Sequence, residues 1–265
     1  MFLKLKKKNC STNGIRHKKQ VTKNWLTKAS NFIKSIKHSI KSNGGRNNTG
    51  CITVRHKGGG LKKKSYFLNQ TVKEFNAVVI SIINDSKKTS FIAINFDLKK
   101  KVFFTTTASR NLCSGSIIKS TKLAGGCFSG FYGFLENFPT GISIYNVSSK
   151  RNIFCFAKSA GVYCTLLQKQ KSGFILRLPS GKIIKVLENT SAFLGKISNR
   201  LNKHCKKGKA GINRNINKRP TVRGIAMNPV DHPHGGRTNG GFHPVTPWGI
   251  PTLGKKTVKF KNVKI

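Results

Sequence analysis

Phe174-Ile175-Leu176-Arg177-Leu178-Pro179-Ser180-Gly181-Lys182-Ile183-Ile184-Lys185-Val186-Leu187 sets two short runs of branched and aromatic residues on either side of Pro-Ser-Gly. Such residues favour extended backbone, and Pro followed by Gly supplies the turn, so the stretch predicts a β-hairpin. Working outward, the same grammar repeats. Upstream lie Gly141 to Val147, Ile153 to Ala157 and Val162 to Leu167, and before the glycine-rich connection Gly125-Gly126 to Gly133 a first series appears. It comprises Ala77 to Ile83 closed by Asn84-Asp85-Ser86, Phe91 to Phe96, Val102 to Thr107, and Ile117-Ile118 after Ser114-Gly115. Short strands at regular spacing with turn residues between them predict an all-β fold of two small barrels, with four or five strands in the first. No internal repeat relates the two series. A short helix is expected only around Ile197 to Lys206.

Charge separates this globule from its flanks. The chain of 265 residues carries 51 Lys and Arg against 6 Asp and Glu, a formal charge of +45. A compact protein with that self-repulsion requires a polyanion to neutralise it, and nucleic acid is the leading candidate. Residues 1–73 contain no acid, and residues 189–265 contain only Asp231, whereas the other five acids fall between Glu74 and Glu188 together with nearly all the dense apolar runs. Segments this charged bury too little apolar surface to offset ordering entropy, so both flanks are expected to order on a partner. An anionic membrane becomes a minor alternative, for lack of an 18-residue apolar run and of a cationic amphipathic helix. The seven cysteines stand singly, with no C-x-x-C pair, and read as reduced packing residues rather than a zinc or disulfide framework. The Lys-rich start has neither the apolar core and cleavage site of a secretory signal nor the Arg-rich character of an organellar presequence.

The flanks are not mere solubilising arms, because they place Gly, Pro, His and Trp at specific positions. Gly44 to Lys63 intersperses Arg46, Asn47, Asn48, Arg55, His56 and Lys57 among glycines, ending in Gly58-Gly59-Gly60 before Lys62-Lys63. Glycines let backbone approach phosphates while the basic side chains supply charge. No Gly-Lys-Ser or Gly-Lys-Thr closes this loop, so it is not a nucleotide-binding P-loop. The second loop runs Arg223-Gly224-Ile225-Ala226-Met227-Asn228-Pro229-Val230-Asp231-His232-Pro233-His234-Gly235-Gly236, with the sequel Phe242-His243-Pro244-Val245-Thr246-Pro247-Trp248-Gly249. The three histidines could be metal ligands, but no Cys lies near and Asp231 is the sole carboxylate. Asp231 beside His232 has no recognisable nucleophile and no paired acid, which argues against catalysis. The acid reads instead as orienting Arg223 or a histidine, accepting loop N–H groups, or meeting a hydrated Mg²⁺ at phosphate; Trp248 and the imidazoles read as stacking partners for unpaired bases.

At these residues the chain resembles the universal large-subunit ribosomal protein L-two family. The likeness is carried by Arg219 to Gly224, by Asp231-His232-Pro233-His234-Gly235-Gly236 and by His243 to Gly249. The Gly44–Lys63 loop, Lys158-Ser159-Ala160-Gly161 and Leu176 to Gly181 add to it. The resemblance covers about Lys41 to Lys256. It implies an oligonucleotide-binding-type barrel (58–124) followed by an SH3-like barrel (125–197), between a basic N-terminal extension (1–57) and a basic C-terminal extension (198–265). It also implies a primary ribosomal-RNA binder that supports subunit assembly and association and the architecture of the peptidyl-transferase region, without being the catalyst. The expected partners are large-subunit ribosomal RNA, neighbouring ribosomal proteins and, at the subunit interface, small-subunit RNA; Mg²⁺ is expected only as an ion of the RNA, with no metal site or other cofactor. On this basis RNA contact is assigned to Arg46, Asn47, Asn48, Arg55, His56, Lys57, Lys62, Lys63, Arg214, Arg219, Arg223, Asn228, His232, His234, Arg237, His243, Trp248, Lys255 and Lys256. Loop shaping is assigned to Gly58, Gly59, Gly60, Asp231, Pro233, Gly235 and Gly236. The chain departs from the family pattern in its short Arg237–Gly241 segment, in Leu61 where a His is usual, and in Lys150–Phe156 where glycines are usual.

A free-standing RNA chaperone and a metal-dependent RNA-processing enzyme are the competing readings. Heavy use of Lys, Asn, Ile, Ser and Phe, with 18 Phe against 2 Trp and 2 Met, matches AT-rich codons. The expected compartment is therefore the mitochondrion, with a plastid or an AT-rich bacterial cytoplasm as alternatives.

Overall fold

The computed structural model describes residues 4–7, 9–24, 26–27, 34–68, 74–120, 128–148, 153–237 and 242–254. They form an almost entirely β protein that divides into two compact units. The first contains Met1–Lys41 and Lys62–Ala210, and the second Ser42–Leu61 and Gly211–Ile265. Chain order and spatial grouping therefore differ: the second unit is assembled from two stretches separated by the whole β-rich middle.

In the first unit, β1 (Leu5–Lys7) pairs with β2 (Lys19–Val21), and β3 (His38–Ile40) with β4 (Lys63–Ser65), both antiparallel. The first series of predicted strands becomes β5 (Asn76–Asn84), β6 (Phe91–Asp97), β7 (Phe103–Thr107) and β8 (Ile117–Lys119), an antiparallel sheet in the order β7-β6-β5-β8. Central β6 shows no in–out alternation, because both of its faces are covered. Phe91 and Ala93 enter the main core, while Ile92 and Ile94 join Tyr66 and Ile83 in a smaller cluster that Ile36 and Leu68 help to cover.

The second series comprises β9 (Tyr132–Phe134), β10 (Ser143–Tyr145), β11 (Val147–Ser148), β12 (Phe154–Phe156), β13 (Cys164–Gln170), β14 (Gly173–Arg177), β15 (Ile183–Val186) and β16 (Ser191–Leu194). Six of these form one antiparallel sheet, ordered β15-β14-β13-β10-β16-β9, and β11 pairs with β12. The β14–β15 hairpin forms as its sequence predicts: Phe174 faces Val186, Arg177 faces Ile183, and Gly181 at φ +87° donates to the Leu178 carbonyl. β14 alternates as a half-buried strand should, with Phe174 and Leu176 inside and Arg177 outside. The expected helix around 197–206 is a 3₁₀ segment, Arg200–His204.

The two sheets share one apolar core. Ala77, Val79 and Phe91 from the first and Ile144, Leu166, Leu176 and Phe193 from the second belong to a single buried cluster. Backbone bonds reinforce the junction: Arg110 N–H donates to the Lys196 carbonyl (2.7 Å) and Ser198 N–H to that of Ala108 (3.1 Å). The Ser198 hydroxyl accepts from Phe91 N–H at 3.1 Å. The second unit holds all but the first residue of α1 (Ala210–Asn215), a short 3₁₀ turn at Gly224–Ala226, and otherwise loops.

Candidate nucleic-acid interface

The second unit brings together the two loops singled out from the sequence. Gly58 N–H donates to the Asn217 carbonyl (3.2 Å), Leu61 N–H to that of Asn215 (3.2 Å), and Arg219 N–H to that of His56 (3.0 Å). His56, at φ +57°, sets its ring Nδ1 3.1 Å from the Pro220 carbonyl oxygen. Gly60 permits this approach, since a Cβ there would lie 1.9 Å from Asn217 Oδ1. Within the first loop, Asn47 turns its side-chain carbonyl inward, accepting from Thr49 N–H, the Thr49 hydroxyl and Cys51 N–H at 3.1, 2.7 and 3.0 Å. Asn47, assigned to RNA contact, thus shapes the loop locally, while Arg46, Asn48, Arg55 and Lys57 are exposed.

The Arg223–Gly236 loop is fastened by its own backbone. The Asn228 carbonyl accepts from Asp231 N–H and His232 N–H, and the Met227 carbonyl from Gly236 N–H. His232 is buried at 7% exposure; its Nδ1 accepts from His234 N–H at 3.0 Å, which places the ring proton of its neutral form on Nε2. Gly224 lies so close beneath this ring that a Cβ would meet it at 2.6 Å, and a Cβ on Gly235 would meet the Asn228 carbonyl oxygen at 2.3 Å. His234 Nε2 lies 3.1 Å from the His243 carbonyl oxygen and 3.3 Å from Val245 N, linking the loop to its sequel. Asp231 is exposed, and among the described residues its carboxylate has neither a hydrogen-bond nor an ion-pair partner, so Asn228 and His232 do the fastening expected of it. Arg214, Arg219, Arg223, Asn228, Arg237 and His243 are exposed, as is Pro233. Lys255, Lys256 and the 238–241 segment lie outside the described residues.

Pro244 to Thr252 forms a small hairpin. Thr246 N–H donates to the Ile250 carbonyl, Thr252 N–H to that of Pro244, and Gly249, at φ +76°, donates to the Thr246 carbonyl across Pro247-Trp248. The turn holds Trp248 out at 72% exposure, with the Arg55 guanidinium 5.7 Å from its ring centroid.

What the described residues of this unit lack is a core. Among its described residues only His232 and Val245 are buried, and neither apolar cluster includes any of them. Ile52, Val54, Val222, Val230, Ile250 and Leu253 are all exposed. Its sequence carries thirteen Lys and Arg against Asp231. Backbone hydrogen bonds contribute little net stability when water competes for them, so a unit of this kind depends on an anionic partner to exclude water and neutralise charge.

A second basic focus, in the first unit, escaped sequence reasoning. Buried Asp85 builds the turn after β5 by accepting from Ser86 N–H, Lys88 N–H and the Ser65 hydroxyl, at 2.8, 3.2 and 2.6 Å. That turn carries Lys87 and Lys88 to a cavity of about 290 Å³ where Lys158 also converges, beside Tyr66, Phe67 and Thr106. Burial, then repulsion from Lys158 and Lys87, lowers the Lys88 pKa; Asp85 partly opposes this. The Tyr66 hydroxyl and His38 Nδ1 at the same cavity are buried without hydrogen-bond partners among the described residues. Like charges gathered around unsatisfied polar groups suit an anion such as phosphate. The only sequence signal was Lys87-Lys88 after a turn, indistinguishable there from a solvated face. Lys62 is exposed and Lys63 half-buried in β4.

Among the described residues no group of three or more His, Cys, Asp or Glu could hold a metal ion, and no helix is long and apolar enough to cross a membrane. The six described cysteines are all free.

Fold and surface together define a class: a β scaffold whose glycine-shaped, coreless flanks present positive charge to a polyanion. Residues 33–120 match the family description "Ribosomal Proteins L2, RNA binding N-terminal domain", and residues 129–249 match "Ribosomal Proteins L2, C-terminal domain". The chain is 39% identical over 266 residues to the large ribosomal subunit protein uL2 of Ehrlichia canis, covering 96% of this chain and 94% of that one. It is 40% identical to that of Wolbachia pipientis wMel (84% and 83% covered) and 42% identical to that of Ehrlichia ruminantium strain Gardel (82% and 80% covered). The chain belongs to the ribosomal protein L2 family.

Proposed function

We propose that this chain is a structural constituent of the large ribosomal subunit that binds ribosomal RNA and neighbouring ribosomal proteins during translation. The observation that carries this is the coreless unit of Ser42–Leu61 and Gly211–Ile265, whose charge and exposed apolar side chains call for an RNA surface. The double-sheet unit acts as a rigid base, and Lys87, Lys88 and Lys158 give it a phosphate contact of its own. In gradient sedimentation the chain is expected to travel with large subunits, and retention near the top of the gradient would overturn the assignment.

The finer reading rests on the family resemblance. The Arg223–Gly236 loop lies in RNA of the peptidyl-transferase region and helps the subunits associate, with small-subunit RNA a partner at that interface. The protein organises RNA and is not itself an enzyme: His232 is buried with Nδ1 already occupied by a backbone N–H, a setting for a structural imidazole rather than a proton shuttle. Mg²⁺ enters only with the RNA. The bias toward Lys, Asn, Ile, Ser and Phe supports a mitochondrial ribosome, while the bacterial sources of the relatives fit a bacterial cytoplasm; the genomic location of the gene separates the two.

A further inference from the structure

The N-terminal hairpin contains a pairing that has no stabilising logic in the free protein. In β1 and β2, Lys7 stands directly opposite Lys19, and Lys19 in turn forms an antiparallel bridge with Lys206 on its other side. The bridge is a complete two-bond pair: Lys19 N–H donates to the Lys206 carbonyl at 3.0 Å, and Lys206 N–H to that of Lys19 at 3.1 Å. Residues directly opposite in a ladder project to the same face, with strands about 5 Å apart, so the three side chains form a row. All three are exposed, and among the described residues none forms an ion pair. The register is held from both ends. Leu5 pairs with Val21, which is buried, and Gly208, at φ +79°, comes so near Gly14 that a Cβ would lie 2.8 Å from the Gly14 carbonyl oxygen.

Like charges directly opposite destabilise a ladder, and here the row spans β1, β2 and the Lys206 bridge, with no acid in the sequence before Glu74. We infer that Lys7, Lys19 and Lys206 form a phosphate-binding row for the RNA backbone. This site joins the N-terminal extension to the segment after the second sheet and is separate from the coreless loops. The inference rests on the ribosomal-RNA reading above. The N-terminal hairpin is thereby completed by its ligand: an RNA strand crossing the row supplies the anions that convert a repulsive register into a bound one.

Full-length protein with Lys7→Gln, Lys19→Gln and Lys206→Gln together is compared with wild type and with the matching triple Lys→Arg variant. Two measurements are made: binding to transcribed large-subunit ribosomal RNA across about 50–200 mM salt, and thermal melting without RNA. Three lost phosphate contacts are expected to reduce the log–log salt slope by about 2 to 3, and the Arg triple to retain it. The Gln triple is expected to melt higher than wild type when RNA is absent, because the repulsion has gone. An unchanged slope, or a lower melting temperature together with a misfolded hairpin, overturns the row while leaving a steep wild-type slope to support the ribosomal assignment. A flat wild-type slope removes both. Loss of binding to polyglutamate with the RNA slope unchanged assigns the row to an acidic protein neighbour and overturns the RNA reading.

Discussion

Gly224 shows how one missing methyl group fixes a ring. Its Cβ position lies within 2.7 Å of three atoms of the His232 imidazole, so Gly224→Ala must displace that ring or its loop. The expected cost is about 1–3 kcal/mol of overpacking, read as poorer incorporation into purified subunits. His232→Ala separates structure from chemistry: incorporation falls, while peptide-bond formation in the subunits that do assemble keeps a rate within about tenfold of wild type. A collapse of that rate at normal assembly would favour an acid–base role. Trp248→Ala is expected to cost about 1–3 kcal/mol in binding single-stranded ribosomal RNA, with Trp248→Phe recovering part of it, because the exposed indole offers a stacking face. Exposure was legible where charge or aromatic character decides, as for Arg55 and Trp248, both held out to solvent. Local bonding was not legible for Asn47, which accepts from its own loop, or for Asp231, whose carboxylate has no partner among the described residues, because composition does not show which polar side chain bonds its own loop.

Strands were read from the sequence in proportion to their hydrophobic density. The β14–β15 hairpin and β5 to β8 carry branched runs and clear turn residues, and they form within a residue or two of where the pattern puts them. β9 and β16 were missed, since Tyr-Gly-Phe and Ser-Ala-Phe-Leu are too short to show a period and become strands only by joining an existing sheet edge. α1 was missed for a related reason: Ala210 to Asn215 contains Gly211 and two asparagines, weak helix formers with no apolar stripe. One consequence lies within β13, where Cys164 is fully buried and burial pushes its thiol up to about 11. At pH 8 alkylation is expected to modify exposed Cys51 and Cys113 and to spare Cys164. The sign for stability follows: a raised thiol pKa favours the folded state fully only below the ordinary thiol value, so this contribution fades as pH climbs through about 9 to 11.

At the scale of the molecule, the division of labour is between a unit with a core and a unit without one. Amide hydrogen exchange in RNA-free protein is expected to protect β5, β6, β10 and β14 strongly, and to leave the described parts of 42–61 and 211–254 nearly unprotected until large-subunit RNA is added. Equal protection of both units without RNA would show that the second is stable alone. Charge partition made the two flanks legible as basic segments apart from the apolar globule. Their union was not, because it rests on backbone bonds from Gly58 and Leu61 to residues more than 150 positions away, and backbone bonding between distant loops leaves no periodic trace in side chains. That union also has a direction in time. The chain is made from its amino end, so Gly58 and Gly60 leave the exit tunnel long before Asn217 exists, and both large sheets lie between them. The sheets can therefore fold on schedule, whereas the first RNA loop must wait, glycine-rich and unpaired, for nearly the last part of synthesis to meet its counterpart. Any factor that guards the nascent protein from stray nucleic acid has that interval, and that loop, to cover.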